Sequence, residues 1–262
     1  MSKFVHYYNV DVIDRSYRNA TTMNRSNRCY EMNQKITDKL NSNSFLNKRC
    51  FIIAGGESLK GFDYNKLSND LSIGINKVFQ YFPNATLNYS MDQDLYDKIR
   101  DGRLSKHSKV DVFQKWKEFS GIRIFLCPLT TKKFENDVYL VRRTNSDIAS
   151  RDLGHGIYPG RNSAVGALML AIALGANPIY LLGYDMCAKT QSHWHDGYPD
   201  RDLEQFNKKL ENYKKEFETL APMIEEIGVA VYNLNSESSL RCFDFANVDV
   251  VLKEKIHEEA AV

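Results

Sequence analysis

The sequence predicts an α/β fold built on an open, mainly parallel sheet with helices on both faces. Three observations carry that expectation. First, short apolar runs recur at residues 50–54, 71–75, 86–90, 122–126, 179–182 and 229–232, as expected of parallel strands buried on both faces. Second, stretches with helical spacing lie between them, and such alternation of strand and helix gives a parallel sheet. Third, glycine and polar residues follow the runs directly, at the carboxyl ends of the strands, where open α/β sheets bind their ligands. Together these describe a Rossmann-like sheet.

Composition narrows the classes. The chain has 262 residues, suited to one large domain or to a domain with an appendage. Hydrophobic residues make up 43% and charged residues 26%, a globular balance. The 35 basic and 33 acidic residues leave a net charge of +2. Nonspecific nucleic-acid binding needs a clear basic excess, so a nucleic-acid partner is not expected, although a local basic groove remains open. Cys29, Cys50, Cys127, Cys187 and Cys242 form no C-x-x-C pair. Their odd number and wide spacing argue against a disulfide framework or a zinc knuckle and for free thiols in a reducing compartment. The N-terminus lacks a basic-then-apolar signal pattern, so a cytoplasmic location is expected. Residues 163–182 are nearly uncharged and about long enough to cross a bilayer. Gly175, Asn177 and Pro178 interrupt that stretch, so a buried helix followed by a buried strand is expected, not a membrane span.

Along the chain, residues 1–47 are polar and rich in Asn, Arg and Tyr. They are expected to be an arm or capping segment, with a helix over 23–40 and a contact surface for a homo-oligomer. Residues 48–262 are expected to be the Rossmann-like nucleotide-binding domain. Its helices are predicted at 76–81, 93–100, 110–119, 163–174 and 202–227. The fourth is small and apolar all round, hence buried. The last carries Leu203, Phe206, Leu210, Tyr213, Phe217, Leu220 and Ile224 at helical spacing.

Gly55, Gly56, Asn76, Asp92, Gly183, Asp185 and Asn233 each close an apolar run. The first turn reads Ala54-Gly55-Gly56-Glu57-Ser58. Its glycines would let the backbone approach a phosphate or a sugar, and Ser58 can donate to an anion or cap the next turn. It is neither a G-x-G-x-x-G fingerprint nor a P-loop. A second signal, Gly160-Arg161-Asn162-Ser163, opens the buried helix. A helix start offers backbone N–H groups and a positive dipole end to phosphate, and Arg161 could add a charge-assisted contact. A plain capped helix explains the same residues. The third signal is Ser192-His193-Trp194-His195-Asp196-Gly197-Tyr198-Pro199, on a loop after the fifth run. Either imidazole could be a general base near neutral pH, with Asp185 beside it. The H-x-H spacing with Asp185 or Asp196 could also hold a divalent metal, though no standard zinc motif is completed. Trp194 is expected to be a stacking platform for a base or sugar ring. His155, in Gly154-His155-Gly156, lies on a loop that could close over a ligand.

These separated segments resemble a superfamily containing the bacterial lipooligosaccharide sialyltransferases and Rossmann-like proteins related to the archaeal hydroxymethylpterin diphosphokinase. The likeness runs through Phe51-Ile52-Ile53-Ala54-Gly55-Gly56-Glu57-Ser58-Leu59-Lys60, Asn76, Arg161-Asn162-Ser163, Ala171 to Gly175, and Ile179-Tyr180-Leu181-Leu182-Gly183-Tyr184-Asp185. It is especially similar to phage-encoded members with a comparable histidine-rich loop. The resemblance implies that Gly55, Gly56, Ser58, Asn76, Asn162 and Ser163 contact a CMP-type nucleotide-sugar donor. It also implies that His193 or His195 is the base. The family's first turn usually has Pro where this chain has Glu57, a carboxylate that would repel phosphate unless it points away or meets a metal. The family's tyrosine pair behind the leaving phosphate has Tyr184 and Tyr198 as its nearest counterparts.

Three functions follow as expectations. The first is a glycosyltransferase using a nucleotide-activated sugar, with a histidine base. The second is diphosphate transfer from ATP, with Mg2+ on Asp92 and Asp185. The third is a non-enzymatic nucleotide-binding phage protein.

Overall fold

The computed structural model describes residues 20–104, 108, 110–144, 150–195 and 202–259. It contains nine strands: β1 (Gln34–Lys35), β2 (Cys50–Ile53), β3 (Leu71–Ile75), β4 (Leu87–Ser90), β5 (Ile122–Leu126), β6 (Val138–Val141), β7 (Ile179–Leu182), β8 (Val231–Asn233) and β9 (Asp244–Phe245). All pair in parallel in one open sheet, in the order β1-β6-β5-β4-β3-β2-β7-β8-β9. Among the described residues six α-helices accompany it: α1 (Ala20–Glu31), α2 (Gln93–Arg100), α3 (Val112–Glu118), α4 (Ser163–Ala173), α5 (Leu203–Glu226) and α6 (Val248–Glu259). The predicted fold class is the observed one.

Period-two alternation along β2 sends side chains to two separate cores. Cys50, Ile52 and Ala54 join Leu168 and Ile172 of α4 and Phe217 and Leu220 of α5 on one face. Phe51 and Ile53 join Tyr96 of α2, Trp116 of α3 and Val251 of α6 on the other. Every residue of α4 from Val165 to Ala173 is buried. Among the described residues, no helix is long and apolar enough to cross a membrane.

Some elements differ from expectation. The helix expected over 23–40 ends at Glu31, and β1 follows, adding an edge strand beside β6. Ile36 and Phe45, within the segment expected to be an arm or cap, are buried in the α4-side core. The helix expected over 76–81 is a single 3-10 turn, Val78–Gln80. The edge strands β1 and β9 have only two residues each, too short for any periodicity to show. β6 follows β5 through a connection without a helix, so the strand–helix alternation does not point to it.

Close packing of α4 on the sheet depends on Gly166. A Cβ there would lie 2.9 Å from Cε1 and Cζ of Tyr89, a fully buried ring on β4. Gly166→Ala is therefore expected to destabilise the protein by about 1–3 kcal/mol through overpacking, despite the better helix propensity of Ala. Urea denaturation measures this, and an unchanged midpoint would contradict the packing described.

Candidate functional site

The sheet order places β3 to β6 on one side of β2 and β7 to β9 on the other. The β2–β7 boundary is thus the topological switch point, where open α/β sheets form a ligand crevice. A cavity of about 850 Å³ opens there, within the size range of small-molecule sites.

One carboxylate organises the crevice. Asp185, 6% exposed, follows β7. Its Oδ2 accepts the Ser58 N–H at 2.8 Å. Its Oδ1 accepts the Ser58 hydroxyl at 2.5 Å and Asn235 Nδ2 at 2.9 Å. The ends of β2, β7 and β8 are thereby tied together. The Gly56 N–H donates to Gly183 O at 3.0 Å. A Cβ on Gly56 would lie 2.5 Å from both the Asp185 carboxyl carbon and that carbonyl oxygen. Gly183 itself sits at φ +70, where a Cβ would strike Leu59. The glycines at 56 and 183 thus serve close protein packing. Asp185 and Gly56 line the cavity, whereas Ser58 faces Asp185 and is absent from the lining.

The third signal divides into two parts. His193 lines the cavity and lies over Gly55, where a Cβ would come within 2.7 Å of its Cδ2. Its Nδ1 is 3.0 Å from Ser192 Oγ, and its ring meets Phe206 of α5 at 5.5 Å. The close approach permitted by Gly55 is therefore to this imidazole. His195 is absent from the lining and lies against Tyr81 at 5.1 Å. Trp194 also points away, packing on Tyr64 and Tyr81 at 5.6 and 4.7 Å, so it anchors the loop and does not offer a platform inside the cavity. The Trp194 backbone N–H donates to Gly55 O at 3.2 Å. Asp196, Gly197, Tyr198 and Pro199 lie outside the described residues.

Asn76 follows β3 with φ 55, and its Oδ1 accepts the hydroxyls of Ser90 and Ser163 at 2.8 and 3.2 Å. Asn162 caps α4, accepting the Ala164 and Val165 N–H groups at 3.0 Å. The cap leaves fewer N–H groups exposed than an uncapped helix start would, but the Ser163 N–H donates to nothing among the described residues, as does that of Gly55. Glu216 of α5 gathers the segment before α4, accepting Tyr158 Oη, the Arg161 N–H and Asn162 Nδ2. Burial raises its pKa above the ordinary carboxylate value despite those bonds and the Arg161 charge. Asp92 lines the cavity and caps α2 by accepting the Asp94 N–H. Met186, beside Asp185, holds φ 49, a costly conformation for an unbranched bulky side chain and one that concentrates at functional sites.

The sequence reading missed several lining residues. Among the described residues, Lys77, Lys98, Arg103 and Lys209 join Arg161 on the walls beside the carboxylates of Asp92 and Asp185, with Lys98 and Arg103 paired to Asp94 and Asp101. Phe206, Leu210 and Tyr213 were legible as an apolar stripe of α5, yet they line the cavity, and only Phe217, Leu220 and Ile224 further along enter the core. Tyr184 is buried and donates to Ala164 O at 3.0 Å. His155 is largely exposed beside Asp152 and is absent from the lining. No group of three or more His, Cys, Asp or Glu among the described residues is placed to hold a metal.

No protein-family model and no curated protein matches the chain. Among solved structures it is similar to the sialyltransferase CstII from Campylobacter jejuni, determined in complex with a substrate analogue, CMP-3FNeuAc. The TM-score is 0.44 and the identity 20%, covering 76% of this chain and 85% of that one.

The two turn glycines differ in what a side chain would meet. Gly56→Ala collides with a backbone carbonyl and a fixed carboxylate and is expected to cost about 1–3 kcal/mol. Gly55→Ala meets only an imidazole on a loop and is expected to cost less while displacing His193. Thermal and urea melts of both variants test the order, and Gly55→Ala being the more damaging would contradict it.

Proposed function

We propose that this chain is a glycosyltransferase taking a CMP-type nucleotide-activated sugar as donor, with His193 as general base. The observation that carries the reading is the seating of His193 over the Gly55 turn, in a cavity lined, among the described residues, by Lys77, Lys98, Arg103, Arg161 and Lys209 beside Asp92 and Asp185, with Lys98 and Arg103 also paired to Asp94 and Asp101. That charge balance suits an anionic ligand. The sequence resemblance through the same turn, Asn76 and the start of α4 points to the same donor class.

In this reading, an Nδ1–H donated to Ser192 Oγ leaves His193 Nε2 as the unprotonated nitrogen. Nε2 takes the proton of the acceptor hydroxyl as its oxygen bonds the anomeric carbon. The bond from that carbon to the phosphate oxygen breaks, and CMP leaves with the electron pair. The Gly55 and Ser163 N–H groups and the positive charge of Arg161 would stabilise the growing phosphate charge. Diphosphate transfer on magnesium is less favoured. Asp185, which it would need, already accepts three protein hydrogen bonds, and Asp92 caps α2.

Melting temperature with CMP, UDP, ADP and S-adenosylmethionine, with and without magnesium, tests the ligand class. CMP alone is expected to stabilise the protein, by about 2.7 kcal/mol at a hundred times its Kd. Stabilisation only by an adenine nucleotide with magnesium would favour diphosphate transfer, and none by any nucleotide would remove the site.

His193→Ala is expected to slow CMP release from CMP-N-acetylneuraminic acid by about 10²–10⁴-fold with CMP affinity kept. His195→Ala should have a much smaller effect. Tight CMP binding by an unaltered protein that shows no turnover would favour the non-enzymatic reading.

A further inference from the structure

Glu57 stands in the turn that faces the nucleotide in the reading above, where its charge would oppose a phosphate, yet its side chain is turned elsewhere. Three consecutive amides converge on it. The Lys189 N–H donates to Oε2 at 2.8 Å, the Thr190 N–H to Oε2 at 3.1 Å and the Gln191 N–H to Oε1 at 2.8 Å. The Thr190 hydroxyl donates to Oε1 as well. Successive backbone N–H groups of this kind form an anion-binding nest, here filled by the protein's own carboxylate. Burial would raise its pKa, but the bonds from Thr190, Lys189 and Gln191 prevail and hold it below the ordinary value. The carboxylate is thus ionised through the range in which an imidazole titrates.

The segment so held has no regular secondary structure between Gly183 and His195. His193 lies two residues beyond the last bonded amide. On its other side, the Trp194 N–H bonds Gly55 O and the indole packs on Tyr64 and Tyr81. Both ties start from one turn, Gly55-Gly56-Glu57, and they bracket the imidazole.

We propose that Glu57 is a positioning residue whose carboxylate fixes residues 189–191 and thereby sets the His193 ring over Gly55. A catalytic part for the ring rests on the glycosyltransferase reading, whereas its placement by Glu57 does not. Glu57 is absent from the cavity lining. Its work is to remove the loop's freedom, and a base displaced by about 1 Å can lose 10²-fold in rate.

Glu57→Gln tests this at nearly constant shape, because its amide turns an N–H toward amides that need an acceptor. Hydrogen exchange at residues 189–191 should accelerate and the His193 ring resonances should shift. The kcat for CMP release from CMP-N-acetylneuraminic acid should fall by at least tenfold, with CMP affinity changed less than twofold. Thr190→Val, which removes the hydroxyl bond but leaves the amides, should give a smaller loss of kcat. Unchanged exchange and unchanged ring resonances in Glu57→Gln would overturn the proposal. So would a wild-type kcat in Glu57→Gln beside an inactive His193→Ala. If the unaltered protein turns over no CMP-sugar, or His193→Ala keeps full turnover, the reading above fails. The positioning role is then judged on exchange and ring resonances alone: a change supports it and constancy overturns it.

Discussion

The Asp185 carboxylate sits where three strand ends meet, and the crevice depends on it. A buried carboxylate is costly unless every lone pair it offers is used well. Here Ser58 supplies an amide and a hydroxyl from the end of β2, and Asn235 supplies an amide group from beyond β8. Hydrogen bonds to charged groups contribute about 1.5–3 kcal/mol each, and removing one partner exposes the full desolvation cost of the other. The backbone of Asp185 is tied down too, its carbonyl accepting the Ser239 N–H and the Ser238 hydroxyl. The absence of a Cβ at Gly56 and the left-handed turn at Gly183 follow from the need to bring these segments together.

Two further carboxylates repeat the device at the rim. Glu57 gathers residues 189–191, and Glu216 gathers residues 158–162. Each satisfies backbone donors that would otherwise need water, and each fixes a loop bearing a candidate site residue, His193 in one case and Arg161 in the other. The carboxylates of Glu57 and Glu216 are thus turned toward backbone donors, while Lys77, Lys98, Arg103, Arg161 and Lys209 line the cavity with Asp92 and Asp185. A cavity shaped before any ligand arrives has its dipoles and cations already oriented, the condition under which electrostatic stabilisation is most effective.

Much of the framework was legible in the sequence because central parallel strands are apolar on both faces. The runs that became β2, β3, β4, β5, β7 and β8 stood out for that reason, and so did α4, whose small apolar residues pack on β2, β3 and β4. The two-residue edge strands and the helix-free step into β6 left no such trace. Residues at strand ends were legible as site candidates because their position follows from topology: Gly55, Asn76, Asp92 and Asp185 do converge on one cavity. Their individual parts were not, since those depend on side-chain direction. Ser58 faces Asp185, Trp194 faces Tyr64, and the upper half of the α5 stripe faces the cavity and not the core. Lys209 lay hidden among the other charges of that helix.

The proposed ligand of the switch-point cavity between β2 and β7 is a CMP-type nucleotide, held by the backbone donors of Gly55 at the first turn and Ser163 at the start of α4. Titrating isotopically labelled protein with CMP and following its amide resonances tests this most directly. The Gly55 and Ser163 amides should move most and gain protection from exchange, while those of the β1 and β9 edges stay still. Saturating CMP that leaves Gly55 and Ser163 unmoved, or that perturbs only a sheet edge, would contradict it.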